Sequence, residues 1–451
     1  MVDQVYNQNL GEIPVRDFSN AILRGSFPGI WVSPTNPSDA NRYGFKIAQG
    51  DGVTDDTAAI QAVINAVNFF GMQASGSGIV YLPAGLYKIT SPLILPSNVS
   101  PNGPIGIRGA GMARTQLLNY TGTDCFRGPQ TVGQQRCDFL YFADFTISGQ
   151  AGNDGAGFNF VTADASEVQG FATFERIEVQ NHGRWGVDID NMQNSLFSHC
   201  HFRNNSFGHL RLKSPSGTKQ ANANAIINNT FDNIINNKKF VASVYLQLVD
   251  NILLLNNIIQ GNGGPANNTL DGTWTSNGTS ALVGTGTLAT SQLVNGMRVN
   301  FSGAAGGDRT IDTITDDTHL TIRGTLAAAS GRVCATAGMG YLLDGCFGCT
   351  LQNDWFEDTP AIAGASIGIR QTQAVSLISE HFGGSRTTQL DLSNCQGIVI
   401  NTSDARNAVA NINTDATCNT ISMNGGVYYN AATVGDATSD GILQNRVFYA
   451  H

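Results

Sequence analysis

The chain of 451 residues is long enough for one elongated domain or two to three compact ones, so a sizeable core poses no difficulty. Hydrophobic residues make up 41% and charged residues only 13%, and 25 basic against 34 acidic side chains give a net charge of −9. This balance excludes disorder, and with no basic stripe to neutralise phosphates it excludes nucleic acid as an expected partner.

No stretch approaches the roughly 18 consecutive apolar residues of a membrane span, and MVDQVYNQNLGEIPV lacks the basic and apolar regions of a secretory leader. Neither membrane insertion nor a Sec signal is expected. The 52 glycines and 43 asparagines, set against few lysines and glutamates, disfavour helix and favour short strands joined by tight turns.

The first 49 residues contain no coiled-coil heptads and read as an N-terminal segment. In GDGVTDDTAAIQAVINAVNFFG (50–71), Thr54 or Asp55 can cap a helix, acids fill its first turn, and Ile60, Val63, Ile64 and Val67 share one face. The spacing predicts a capping helix over 54–70. Afterwards the period changes to two: GIVYLPAGLYKI (78–89) and SPLILPSNV (91–99) read as short strands broken by proline and glycine.

From about residue 138 a loose repeat begins. FADFTI (142–147), FERIEV (174–179), LFSHCHF (196–202), AIINNTF (225–231), LLLNNII (253–259), TLQNDWF (350–356) and SLISEHF (376–382) superimpose on their last apolar residue and, one interruption aside, recur every 22 to 32 residues. A weaker continuation follows at 397–403 and 420–426. Each unit holds a second alternating run, such as GVDID (186–190), HLRLK (209–213) or VYLQL (244–248). Two to three short strands per unit form one coil of an all-β, right-handed, single-stranded parallel β-helix. The pairs Asn228-Asn229 and Asn256-Asn257 suit tight turns in which stacked amides build a ladder.

The repeat is broken between LLLNNII and TLQNDWF by a stretch with its own alternation, read as a small inserted β-domain over 269–337. The expected organisation is therefore a segment 1–49, capping helix and first part of the β-helix over 50–268, the insert, a second part over 338–430, and a C-terminal segment 431–451. Of the eight cysteines, Cys200, Cys346, Cys349, Cys395 and Cys418 read as small buried fillers, whereas a Cys125–Cys137 disulfide is left open.

GDGVTDDTAAIQAVI followed by GIVYLPAGLYKI resembles the opening of the pectate-lyase-like β-helix superfamily, which includes bacteriophage tailspike depolymerases. Many members place a VxDFGA strand directly before this element. Here Val15-Arg16-Asp17-Phe18 stands some thirty residues upstream of Gly50. The insert, with SALVGTGTLATSQLVNGMRV and ITDDTHLTI, resembles small β-modules of phage tail proteins. These resemblances imply a polysaccharide substrate, a homotrimer, and an extracellular location on a virion tail or after non-Sec secretion. They carry no catalytic motif, and the NTD, DD, GHG and RIK signatures of polygalacturonases are missing.

Neighbouring coils lie about 4.8 Å apart, so surface chemistry is read from the repeat register. Asp354 and Glu380 share one register position and Glu357 follows Phe356, which makes these three the expected catalytic acids, with Trp355 and His381 flanking them as a sugar-stacking platform. The insert leaves from the preceding coil and would wall a cleft there. The competing reading places Asp354 and Glu380 in the asparagine ladder. A second constellation sets Asp188 and Asp190 opposite His209, Arg211 and Lys213, with Tyr245, Gln247, Tyr341, Arg370 and Asp391 extending a substrate groove. Its alternative is a set of cross-strand salt bridges. His199 and His201 resemble a metal pair only superficially, and neither metal nor cofactor is expected. The reading that results is hydrolysis of a bacterial capsule, exopolysaccharide or O-antigen. Its rivals are a β-elimination lyase acting on a uronate-containing glycan through Arg211, Lys213 or a tyrosine, and a non-enzymatic binding or structural tail protein.

Overall fold

The period-two runs pair with their counterparts one coil away rather than with their chain neighbours, and this makes the expected all-β parallel β-helix. The computed structural model describes residues 30–449, without 74–77, 98–104, 130–136, 162–167, 215–220, 233–239, 262–268, 294–296, 303–307, 337, 358–364, 384–387, 402–403, 406–409, 415–417, 430–432 and 436–441. Val15-Arg16-Asp17-Phe18 lies outside the described residues. A long sheet of 22 strands and a second sheet of 11 form the walls of the helix.

Alternation along each strand sends one set of side chains inward, and each inward residue meets its counterpart in the next coil. Phe174 stacks on Phe197 at 4.5 Å between ring centroids, Phe202 on Phe231 at 5.1 Å and Phe356 on Phe382 at 5.3 Å. These rings join Ile226, Leu254 and Leu351 in one continuous buried cluster.

Each coil turns at fixed points through the left-handed region. One such row divides each coil's two strands in the long sheet and contains Asp144, Arg176, His199, Asn228, Asn256, Asn353 and Ser379, with φ between 49° and 62°. Another lies at the edge of that sheet and contains Phe139, Phe171, Asn194, Ala223, Asn251, Gly348, Ala374 and Gly397. A residue with a Cβ adopts this conformation at a cost of roughly 1–2 kcal/mol, least for asparagine. The asparagine and glycine content of the chain follows from this recurrent demand. In each asparagine pair the labour is divided: Asn228 and Asn256 take the turn, while Asn229 and Asn257 point inward and ladder. Asn229 Nδ2 donates to Asn257 Oδ1 at 3.1 Å, and Asn257 Nδ2 donates to the Ile226 carbonyl at 2.9 Å.

The helix near the start spans Thr57–Gln73, three residues later than expected. Thr54 and Asp55 belong to a strand, Asp51–Asp55, that pairs with Gly85–Ile89, and from its end the Asp55 carboxylate still accepts from the first helical amide, that of Thr57, at 3.0 Å. Asp56 begins the helix: its carbonyl accepts from the Ile60 amide at 3.0 Å, and its buried carboxylate accepts from the amides of Gln49 (2.7 Å) and Gly50 (3.1 Å). The motif's acids thus tie the helix to the first coil. Ile60, Val63, Ile64 and Val67 are buried with Val32, Val80 and Leu93, as the spacing requires.

Both expected terminal boundaries are corrected. Ile30–Val32 pairs with Gly78–Val80, so the first coil begins well before residue 50. Thr433–Gly435 and Ile442–Tyr449 extend the two sheets, so the coil also runs past residue 430. The insert forms a seven-stranded antiparallel sheet between Thr273 and Thr336. Its Trp274, Leu282, Ile311 and Leu320 pack with Trp185, Tyr245, Met339 and Leu342 on the outer face of the second sheet. All eight cysteines are buried free thiols, Cys125 and Cys137 included. Among the described residues no helix is long and apolar enough to cross a membrane.

Asn257→Ala strands the Asn229 amide and the Ile226 carbonyl inside the core, and is expected to lower the unfolding free energy by about 3 kcal/mol. Urea denaturation checks this; a loss below about 1 kcal/mol would mean that the ladder holds nothing.

Candidate functional site

Asp354 and Glu380 do share a register position, but on the inside. Each precedes an inward phenylalanine, Phe356 or Phe382, by two residues, and period two therefore points it into the core. Both are 0% exposed. Asp354 Oδ1 continues the ladder, accepting from the Asn257 amide at 2.7 Å and from Asn257 Nδ2 at 3.0 Å. Asp354 Oδ2 and both Glu380 oxygens make no hydrogen bond. Burial pushes the Asp354 carboxyl up to about 7 against the opposing Asn257 hydrogen bonds, and burial with the neighbouring Asp354 pushes Glu380 well above its ordinary value. No polymer can reach this pair. The expectation that Asp354 and Glu380 act on substrate is corrected: Asp354 continues the ladder, and Glu380 takes the corresponding inward position in the next coil.

The second constellation is also rearranged. Tyr341 pairs with Val244 and Ile367 on the inward row, where its phenol faces Asp354 and Glu380 and is raised by burial and by both acids. His209 is likewise internal, beside Asn205 and over Phe231. Asp188 and Arg211 do meet across adjacent coils, through the Arg211 Nε bond to Asp188 at 2.8 Å and a second guanidinium contact. Lys213 Nζ lies 3.4 Å from Asp190. These are the cross-strand salt bridges of the alternative reading. Tyr245 and Arg370 face outward beneath the insert. Tyr245 is 2% exposed with Trp185 at 6.0 Å, and Arg370 bonds Thr310 of the insert. Arg323 of the insert binds Asp344 at 3.1 Å. Asp391 is buried and Gln247 half-buried. The insert roofs this face and closes it as a groove.

The outer face of the long sheet is where exposed functional groups gather. One row runs Glu178, His201, Thr230, Ile258, Trp355, His381 from coil to coil; the next runs Gln180, Arg203, Asp232, Gln260, Glu357. Trp355 is 47% exposed and stacks on His381 at 5.5 Å, beside an exposed Ile258. Glu357 is exposed, and its Oε2 accepts from Gln260 Nε2 at 3.0 Å. Trp355, His381 and Glu357 are thus brought together as expected. The insert, packed on the second sheet, does not share their wall. Asp232 and Gln260 were missed by sequence reasoning. The signal was present: they directly follow the inward Phe231 and Ile259, as Glu357 follows Phe356.

Further along this face, Tyr141 donates to Glu175 at 3.2 Å, Arg176 bonds Glu175 and Asp144, and Arg108 Nε binds Asp144 at 2.9 Å. Every charge here is matched within the cluster. Burial and the Glu175 charge push the Tyr141 phenol above its ordinary value, which disfavours it as a base. Among the described residues no group of three or more His, Cys, Asp or Glu could hold a metal ion.

Residues 43–261 match the family described as rhamnogalacturonase A/epimerase, pectate lyase-like, and the resemblance to that superfamily is borne out. Mannuronan C5-epimerase AlgE1 of Azotobacter vinelandii is 34% identical over 155 residues, 31% of this chain and 10% of that protein. Alginate lyase 7 of the same organism is 34% identical over 157 residues, 31% of this chain and 17% of that protein. The chain thus spans a small part of the length of either relative. In fold it is similar to tailspike protein 2 of Escherichia coli O157:H7 bacteriophage CAB120, with a TM-score of 0.51 at 10% identity over 92% of this chain and 46% of that one.

The internal acids give a pH dependence with a definite sign. Their folded-state values lie above the unfolded ones near 4, so their contribution is fully present below about pH 4 and is lost as pH rises through the raised values, which for Asp354 is about 7. Buried His182 and His209, lowered to about 3 chiefly by burial, act oppositely and lose stability as pH falls below about 6.5. Asp354→Asn with Glu380→Gln removes the first contribution alone. Thermal unfolding should show a higher midpoint at alkaline pH and a smaller fall in midpoint between mildly acidic and alkaline buffers. An unchanged fall would refute the assignment.

Proposed function

We propose that the protein is a depolymerase that hydrolyses glycosidic bonds of a bacterial surface polysaccharide bound along the outer face of the long sheet. The observation that carries this reading is the exposed Trp355–His381 stack beside Glu357, in register with Gln260 and Asp232. The indole presents a flat apolar face suited to the C–H face of a sugar ring. Asp232 and Glu357 stand two coil steps apart, roughly 9.6 Å between backbones, close to the carboxylate separation at which an inverting glycosidase admits a water between sugar and base. Gln260 holds the Glu357 carboxylate from the intervening coil. One acid protonates the leaving oxygen while the other takes the proton of the attacking water.

The superfamily match and the tailspike-like fold support a polysaccharide substrate met outside the cell, on a virion tail or after secretion, and assembly as a homotrimer. A second reading, β-elimination from a uronate-containing glycan, is favoured by the alginate lyase among the sequence relatives. Against it, Arg211, Arg176 and Arg108 are already paired with acids and are poorly placed to neutralise a uronate.

Purified protein incubated with capsular, O-antigen and alginate polysaccharides, followed by reducing ends and by the ultraviolet absorbance of unsaturated uronates, separates the two. Hydrolysis gives reducing ends alone; rising absorbance would replace it by elimination. With a cleaved substrate, Glu357→Gln is expected to lower kcat about 10²–10⁴-fold. Trp355→Ala should raise KM about tenfold with kcat largely kept. An active Glu357→Gln enzyme would remove that residue from the chemistry.

A further inference from the structure

In the edge row of left-handed turns, the later coils place Asn194, Ala223, Asn251 and Gly348, residues suited or at least small enough for that backbone. Two adjacent coils place phenylalanine there, with φ of 57° at Phe139 and 55° at Phe171. A bulky side chain in this region is an outlier; such strain is held in place by the surrounding structure and clusters at functional sites. Neither ring enters the core. They stack on each other at 4.9 Å and 9° between planes, and Phe171 is 40% exposed.

The residues immediately before these turns are Asp138, Gly170, Gln193, Asn222, Asp250 and Phe347, bridged coil to coil. Phe347 is 43% exposed and stands four coil steps beyond Gly170, roughly 19 Å. Between Phe171 and Phe347 lie amides and one carboxylate, Asp250. Among the described residues neither row holds a lysine or arginine, so these two rows themselves offer an anionic polymer no counter-charge.

The geometry points to a second glycan-binding site along this edge, separate from the Trp355 face, that takes an uncharged oligosaccharide with a pyranose ring stacked on Phe171. The phenyl rings supply the apolar platform, and the amides of Gln193, Asn222 and Asn251 supply donors and acceptors for sugar hydroxyls. Strain at Phe139 and Phe171 is kept because asparagine, which the turn prefers, has no face to offer.

The test is affinity electrophoresis of the full chain in gels containing dextran, galactomannan, xyloglucan or, as the charged comparison, alginate. It is run in a Trp355→Ala background, so that failure of the proposed catalytic face is told apart. The Trp355→Ala protein should be retarded by at least one neutral polymer and not by alginate alone. Adding Phe171→Asn should weaken that retardation about tenfold while raising the melting temperature, because asparagine relieves the turn. Equal retardation of both proteins, no retardation by any neutral polymer, or a lower melting temperature on adding Phe171→Asn overturns the proposal; the last would make the pair a packing contact.

Discussion

Every coil of this molecule must present, about 4.8 Å further on, the same side-chain direction at the same place as the coil below. The whole interior obeys that constraint. Apolar residues meet apolar residues, and phenylalanines stack in columns. An inward polar residue is tolerable only if its neighbour in the next coil can complete its hydrogen bonds, because the core supplies no water. Asn229 and Asn257 meet the requirement by handing donors and acceptors along the axis. Outside, the same rule turns unlike charges into rungs, as in Asp188 with Arg211 and Asp190 with Lys213.

The ladder also shows how the rule is strained. At Asp354 the amide gives way to a carboxyl, which still accepts from Asn257 but can donate only when it is protonated. Glu380 then sits where another amide would fit. Two acids without a counter-charge persist in a dry core only by holding protons, so the column changes from hydrogen-bonded amides to protonatable acids within one step. Tyr341, facing them from the opposite wall, joins them in one internal cluster of ionisable groups.

Much of the architecture is legible in the sequence because the repeat is local: the spacing of Phe202, Phe231, Phe356 and Phe382 gives both the coil and its inward face. The same spacing contains the parity that moves Asp354 and Glu380 inside, two residues before a core phenylalanine. It also places Asp232, Gln260 and Glu357 outside, one residue after a core side chain. Taking the register position shared by Asp354 and Glu380 for an outward one went against that parity. The start of the helix was misjudged for a different reason. Thr54 and Asp55 have capping chemistry, but Asp51–Asp55 is claimed by pairing with Gly85–Ile89, a partner thirty residues away. The covering of Tyr245 and Arg370 was not legible at all, since alternation reports which face a residue occupies and not what another part of the chain lays upon it.

The insert leaves and returns without disturbing the stack: Ile258–Gln260 pairs directly with Trp355–Glu357, as though the intervening chain were a single turn. The β-helix counts rungs and is indifferent to how much chain lies between them. In topological terms the module is therefore a cassette that descent could gain, lose or exchange. Its underside says otherwise, because Trp185, Tyr245, Met339 and Leu342 form an oily footprint that only the module keeps from water. A lineage discarding the cassette would first have to repaint that footprint with polar residues. The module is thus optional to the topology and obligatory to the surface it covers.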